Sequence, residues 1–125
     1  LGINIDMRED MSDIFIKNIP HEQITTLASQ VEVQAGQVVS KTLAQNDALS
    51  ITIFSFDKGE EIGTHGSSGD AMVTVLEGVG KFTVDGQEYV LKRGETLVMP
   101  ANKPHSVYGQ EAFKMLLVVV FPQIK

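Results

Sequence analysis

Beyond position 31, apolar residues fall into short runs that are rich in Val, Ile, Thr and Phe. Turn residues separate these runs roughly every eight to twelve positions. Runs of this length and composition favour strands, and their regular spacing is typical of an all-β sandwich or barrel. One connection, Asp85-Gly86, has the composition of a two-residue hairpin turn, because both residues tolerate a positive φ. The pattern predicts strands over 37–44, 49–56, 71–77, 81–84, 88–91, 96–99, 106–109 and 112–121.

A different pattern precedes these strands. The segment that begins at Pro20 has apolar residues at three- and four-residue spacing, namely Ile24, Leu27, Ala28 and Val31. This spacing is that of one helix face, and proline suits a first helical turn. The sequence therefore predicts one short helix here.

The chain has 125 residues, of which 42% are hydrophobic, which fits one domain. No repeat, low-complexity tract or linker interrupts it. We expect a single domain over 1–125, with an N-terminal extension over 1–30 that contains the short helix and a β-barrel over 31–125.

The last apolar run, from Met115 to Phe121, is apolar at consecutive positions, so both faces of this strand are apolar. One face can line a barrel interior, and the other must then be covered by a second sheet or another subunit. We expect a homodimer that covers the second face. An inner strand of a single two-sheet barrel is the alternative, and it explains the same run.

Charge and composition exclude several classes of partner. The net charge is -6, and no cluster of Lys or Arg is present, which disfavours both nucleic acid and an anionic membrane. No apolar run approaches the roughly 20 residues that a membrane span requires. The chain has no Cys, which rules out thiolate catalysis and Cys-based zinc sites and fits a reducing compartment. We therefore expect a cytoplasmic protein with no nucleic-acid or membrane partner.

Two glycine-anchored frames each lead to a histidine. The first runs from Gly59 through His65 to Gly78, and the second runs from Gly94 to His105. Frames of this kind mark two strand-turn units that bring distant histidines together. The sequence thus predicts a polar site at the two histidines.

The frames resemble the two motifs of small single-domain cupins with the "cupin 2" type of conserved barrel. Those motifs run Gly-x(5)-His-x-His-x(3,4)-Glu-x(6)-Gly and Gly-x(5)-Pro-x-Gly-x(2)-His-x(3)-Asn. Six positions of this chain fall in register with them: Gly59, His65, Gly78, Gly94, Pro100 and His105. The resemblance implies an all-β cupin double-stranded β-helix, which is a jelly-roll-like barrel. It also implies a site inside the barrel where two histidines, a glutamate and the second-motif histidine bind one divalent metal.

This chain departs from that ligand set at two of the four positions. Ser67 stands where the family has its second histidine, and Ala71 stands where it has the glutamate. The glycine and asparagine of the second motif are also replaced, by Asn102 and Gly109. His65 and His105 are the ligands that remain, so the metal site is degenerate.

A third metal ligand could come from Asp70, which together with the two histidines has the composition of the iron facial triad. Strand alternation opposes this, because Asp70 points outward if Ala71 points into the barrel. A bulge after Gly69 would reverse the direction. Both possibilities stay open at this point.

The favoured function is a small-molecule-binding barrel whose pocket is lined by His65, Ser67, Ala71, Val73, Met99 and His105. The alternative is a metal-dependent enzyme of the dioxygenase, isomerase or decarboxylase type, with Fe, Mn, Ni or Zn held by His65 and His105 and with Asp70 as the candidate third ligand. Without a metal, either histidine could still act as a general base near neutral pH. A sensor half of a regulator is disfavoured, because no helix-turn-helix segment is present in this chain.

Overall fold

Nine strands, all paired antiparallel, are found in residues 14–123, the part of the chain that a computed structural model describes. A five-stranded sheet has the order β1-β2-β9-β4-β7, and a four-stranded sheet has the order β3-β8-β5-β6. The strand bounds are β1 Val38–Gln45, β2 Leu49–Phe56, β3 Glu61–His65, β4 Asp70–Glu77, β5 Val79–Val84, β6 Gln87–Lys92, β7 Thr96–Met99, β8 His105–Gly109 and β9 Phe113–Val120. The predicted all-β fold is confirmed.

All eight predicted strands are present, with ends that differ by no more than two residues from the prediction. Asp85 and Gly86 have φ values of 49° and 85°, and they connect β5 to β6 as the predicted two-residue hairpin. The strand that the prediction missed is β3, Glu61–His65, whose side chains are mostly exposed and which contains Gly63. A short, polar, glycine-containing strand has no apolar alternation by which it could be found.

The predicted helix that begins at Pro20 is wrong. The segment forms only a 3-10 turn at Leu27–Gln30. Thr26 before it is extended, with φ -99° and ψ 124°, and Ile24 is fully exposed rather than packed. β-Branched residues lose side-chain freedom in a helix, and here the packing of Leu27 and Val31 on the five-stranded sheet decides the conformation.

The core lies between the two sheets and is built by side chains at alternate positions. On β4, the side chains of Ala71, Val73 and Val75 are buried, while those between them face outward. Phe82 of β5 and Phe113 of β9 meet edge to face across the core, with ring centroids 6.0 Å apart. This alternation decides which side chains of each strand can reach the barrel interior.

The outer face of the five-stranded sheet is covered on one side by the residues that precede β1. Leu27 and Val31 pack with Leu43 and Ile53 in a second apolar cluster there. Lys114 fixes the same segment, because its Nζ donates to the Ala28 carbonyl at 2.6 Å. The chain itself therefore covers part of the outward face of β9.

The other side of that outer face is open among the described residues. Met72, Val98 and Val120 are 41%, 53% and 59% exposed. They are neighbours, because Met72 pairs with Val98 across β4 and β7, and Val120 pairs with Asp70 on β4. The homodimer stays a prediction, and this patch is the surface that it would cover.

Within residues 14–123, no helix has the length and apolar character needed to cross a membrane.

Candidate functional site

The pairing of β3 with β8 brings the two histidines together. His65 and His105 are direct partners in this ladder. Their ring centroids lie 4.3 Å apart, and the ring planes are inclined at 70°. Since the register between Ile62 and His65 is shifted, the ladder is irregular just before the site.

Both imidazoles are held by the backbone in the same way. His65 Nδ1 donates to the Gly63 carbonyl at 2.9 Å, and His105 Nδ1 donates to the Lys103 carbonyl at 3.2 Å. A carbonyl oxygen can only accept, so each Nδ1 carries the hydrogen. In the neutral rings, Nε2 is therefore the atom with a free lone pair.

Burial sets the protonation state of the inner ring. His105 is only 4% exposed, whereas His65 is exposed. Burial lowers the pKa of His105 below its ordinary value of 6.5, because the charged imidazolium loses its hydration. The hydrogen bond to Lys103 opposes this effect, and the neighbouring His65 adds a smaller lowering. His105 is thus protonated less readily than a solvent-exposed histidine.

A cavity of about 250 Å³ lies beside the two rings. Its wall is mainly apolar, and its three polar members are His65, Ser67 and His105. Both sheets contribute to the wall, as does the loop between β3 and β4. The apolar members are Phe54, Ile62, Ala71, Met99, Val107, Met115, Leu117 and Val119.

Most of the side chains predicted for the pocket lie in this cavity. The structure brings Ser67, Ala71 and Met99 together with the two histidines. Val73 does not line the cavity, because it is fully buried in the core further along β4. The alternation of side chains along β4 correctly predicts that Val73 faces inward. It does not predict how far along the strand the cavity extends.

Several wall residues were not predicted. Ile62 lies on β3, which had no strand signal, and Val107 lies on β8. Leu117 and Val119 lie on β9, where every position is apolar from Met115 onward, so alternation cannot separate the two faces. Phe113 faces the core, and counting every second residue from it identifies Leu117 and Val119 as the inward-facing side chains of β9.

The structure does not bring Asp70 to the histidines. Its Oδ1 accepts from the Ala101 amide at 2.8 Å, and its side chain is on the exposed, outer face of β4. The pairing of β4 with β9 is continuous from Asp70 through Val75, so the bulge that would turn Asp70 inward is absent there. The bulge on this strand lies instead between Val75 and Glu77.

The residues at the histidines do not fit the metal site that the cupin motifs imply. The two anchored imidazoles supply two ligands, and the other two positions hold the hydroxyl of Ser67 and the methyl of Ala71. Zinc favours four ligands, and the iron facial triad needs a carboxylate. In the part of the chain that the structure describes, no group of three or more His, Cys, Asp or Glu side chains could hold a metal ion.

Two departures from the second cupin motif have a local structural reason. Asn102 has φ 65°, a left-handed conformation that asparagine tolerates better than most residues. Gly109 is packed so closely that a Cβ there would lie 2.7 Å from the Asp57 carbonyl oxygen. No side chain fits at this position without a backbone shift, which accounts for glycine in place of asparagine.

A larger surface groove, of about 410 Å³, lies away from the histidines and includes Asp85, Tyr89 and Lys103. It is an open groove whose charged residues are exposed, and Asp85 and Lys103 pair with each other at 3.5 Å. The histidine cavity is less open and mainly apolar, which are features of a ligand site, so it is the stronger candidate despite its smaller volume.

Comparison with known proteins agrees with this architecture. A family model described as "Cupin domain" matches residues 52–121. A conserved protein of unknown function from Streptococcus pyogenes is 49% identical, with a TM-score of 0.86, and the match covers 88% of this chain and 96% of that one. No curated protein matches the sequence.

Two further solved structures are similar. A cupin superfamily protein from Desulfitobacterium hafniense is 36% identical, with a TM-score of 0.82, over 86% of this chain and 98% of that one. A cupin 2 conserved barrel domain protein from Leptotrichia buccalis is 51% identical, with a TM-score of 0.74, over 74% of this chain and 45% of that one. The chain belongs to the cupin superfamily and has its conserved β-barrel.

Proposed function

We propose that this cupin binds a small organic molecule in the cavity beside His65 and His105, without a metal ion. The observation that supports this most strongly is the composition of the cavity wall, which is mainly apolar, with three polar side chains. No carboxylate lies among the described residues of that wall. Clefts and cavities that are mainly apolar and have a few convergent polar groups are typical of small-molecule sites.

The two replaced ligand positions support the same proposal. Ser67 and Ala71 both line the cavity, so the departures from the metal motif occur where a guest would lie. Alanine in place of glutamate removes both a charge and several atoms from the wall. The change therefore favours occupation by an uncharged organic group over occupation by a cation.

A metal-dependent enzyme remains the second candidate, because one observation favours it. Metal-binding histidines usually donate their other ring N–H to a carbonyl or carboxylate, and His65 and His105 both do so. Fe, Mn, Ni or Zn would still need a third protein ligand. Asp70 could serve only after it gave up its hydrogen bond with Ala101 and turned inward.

Metal analysis separates the two candidates. Protein purified without a polyhistidine tag should contain well below one equivalent of Fe, Mn, Ni or Zn. A full equivalent of one metal, lost in both His65→Ala and His105→Ala but kept in the control His21→Ala, would contradict metal-free binding. Unchanged metal content in Asp70→Ala would then remove Asp70 from the ligand set.

The proposal also includes a homodimer and a cytoplasmic location. The exposed patch of Met72, Val98 and Val120 supports the dimer, because contiguous exposed apolar surface of this kind often marks an interface. The absence of Cys from the sequence fits a reducing compartment.

A further inference from the structure

The hydrogen-bonding groups of the cavity identify a class of ligand, and this inference rests on the proposed function. The first groups are the two imidazoles. Because Nδ1 of His65 and of His105 donates to a backbone carbonyl, neither can serve a guest. An uncharged ring held in this way offers Nε2, which accepts a hydrogen bond but cannot donate one.

Ser67 provides the complementary group. Its Oγ accepts from the Gly69 amide at 3.1 Å, which uses one of its lone pairs. Among the described residues, no acceptor receives the hydrogen of this hydroxyl, and no hydrogen bond joins Ser67 to His65 or His105. The Ser67 hydroxyl can therefore donate to a guest that shares the cavity with the imidazoles.

The cavity is unsuited to an anion. No Lys or Arg is among the described residues that line it. A carboxylate placed there would lose its hydration without gaining a cationic partner, which is costly. Its oxygens would also face the lone pairs of the imidazole Nε2 atoms.

The volume sets the size of the guest. The cavity has about 250 Å³, and an apolar cavity of about 150 Å³ is large enough to hold benzene. One ring with one or two small substituents therefore fits. Met99 and Met115 in the wall have flexible side chains that can adjust to its shape.

We propose that the ligand is an uncharged molecule of about one ring in size that carries a hydroxyl group, such as a phenol or a cyclic alcohol. A hydroxyl is the smallest group that can satisfy both sides of this site. Its hydrogen is donated to an imidazole Nε2, and its oxygen accepts from the Ser67 hydroxyl. The ring contacts the apolar wall.

Three matched fluorinated probes test the proposal: 4-fluorophenol, 4-fluorotoluene and 4-fluorobenzoate, each titrated with the protein and followed by fluorine NMR near neutral pH. The phenol should bind about fivefold more tightly than the toluene, because one net hydrogen bond contributes roughly this factor. The benzoate should bind at least about tenfold more weakly than the phenol, because its charge is desolvated without a partner.

Variants assign the effect to the cavity. Ser67→Ala should weaken binding of the phenol about threefold and leave the toluene unchanged, which also shows that the variant is folded. The adjacent and exposed Ser68→Ala is the matched control and should change neither. Ala71→Leu should weaken binding of both, because the larger side chain fills the cavity.

The outcomes separate this inference from the proposed function. Equal affinity for the phenol and the toluene, or tighter binding of the benzoate, would overturn the hydroxyl assignment and leave small-molecule binding intact. An equal loss of phenol binding in Ser67→Ala and Ser68→Ala would also overturn it. If none of the three probes binds at millimolar concentration, the proposed function fails as well.

Discussion

The backbone amide of Asn102 donates to the carbonyl of Ser67 at 2.7 Å, so the loops that follow His65 and precede His105 are hydrogen-bonded to each other. This bond joins the two cupin motifs at Ser67, which lines the cavity. It depends on the left-handed conformation of Asn102, whose φ is 65°. The geometry of the site therefore depends on a residue whose side chain is not part of it.

Replacement of Asn102 should reveal this dependence. We expect Asn102→Val to lower the free energy of unfolding by about 1–2 kcal/mol, because a β-branched residue is strained at positive φ. Asn102→Gly should be near neutral, because glycine adopts this conformation freely. Urea denaturation of the two variants measures the difference. Equal free energies of unfolding for the two variants would show that residue 102 does not require a left-handed backbone conformation.

The buried histidine predicts how stability depends on pH. The pKa of His105 is lowered in the folded state, so the unfolded chain binds the proton more tightly. The contribution of His105 to stability is therefore complete above its ordinary value of 6.5 and is lost as the pH falls through the lowered value. The free energy of unfolding should therefore fall as the pH is lowered through 6.5 and below.

Two variants check the origin of that slope in urea denaturation at several pH values. His105→Gln should flatten it, because the titrating group is gone. His65→Gln should reduce it only slightly, because the charge of His65 is the smallest of the three influences on His105. A slope that survives unchanged in His105→Gln would assign the pH dependence to other groups.

Lys114 should contribute to stability through its contact with the segment before β1. Its side chain is 9% exposed, lies 3.3 Å from Glu77 Oε1 and donates to the Ala28 carbonyl. We expect Lys114→Met to lower the free energy of unfolding by about 1–3 kcal/mol, because the Ala28 carbonyl loses a charged donor. Lys81→Met, at a more exposed ion pair with Glu88, is the control and should cost less than about 1 kcal/mol.

The oligomeric state can be tested at the open apolar patch. Val98→Asp should dissociate a dimer that buries Met72, Val98 and Val120, because an unpaired carboxylate at an apolar interface is strongly unfavourable. Val90→Asp is the matched control, since Val90 is 48% exposed on a strand of the other sheet. Light scattering after gel filtration gives the mass of each variant. A monomeric wild type, or dissociation by both substitutions, would count against this interface.

The lost metal site should be recoverable. The double variant Ser67→His and Ala71→Glu restores the residue types that the cupin motif has at these positions, and it should bind about one equivalent of a divalent metal. Added Zn²⁺ should then raise its melting temperature more than that of the wild type. The control combines Ser67→His with Asp70→Glu, which puts the carboxylate on the outer face. Equal metal binding by both double variants would show that the register of β4 does not decide the ligand set.

The fold was largely predictable because strands and turns are specified by residues that are close together in the sequence. Apolar runs and turn residues mark eight strands, and Asp85-Gly86 marks a hairpin by its conformational tolerance. The prediction from residue spacing failed for the segment that contains Ile24. Its apolar residues have the spacing of one helix face, but Ile24 faces solvent. Whether such a segment becomes a helix depends on what it packs against, and that is a tertiary property.

The proximity of the two histidines was predictable from the sequence, but the extent of the cavity beside them was not. The glycine frames located His65 and His105, and the phase of alternation correctly pointed Asp70 outward. The boundary of the cavity could not be predicted from the sequence. Val73 faces inward but is buried in the core instead of lining the cavity. Ile62 lines the cavity, but it lies on a strand that the sequence pattern did not predict. How far open volume extends depends on the fit of side chains from both sheets.

The cavity wall has a mechanical consequence, because it is shared between the two sheets. Ala71 and Met115 belong to the five-stranded sheet, and His105 and Val107 belong to the four-stranded sheet. Over that volume the side chains of the two sheets do not contact each other, so dispersion contacts between the sheets are fewer there. A bound molecule would contact both sheets and stabilise their packing against each other. Ligand binding should therefore slow amide hydrogen exchange even in strands that the ligand does not touch.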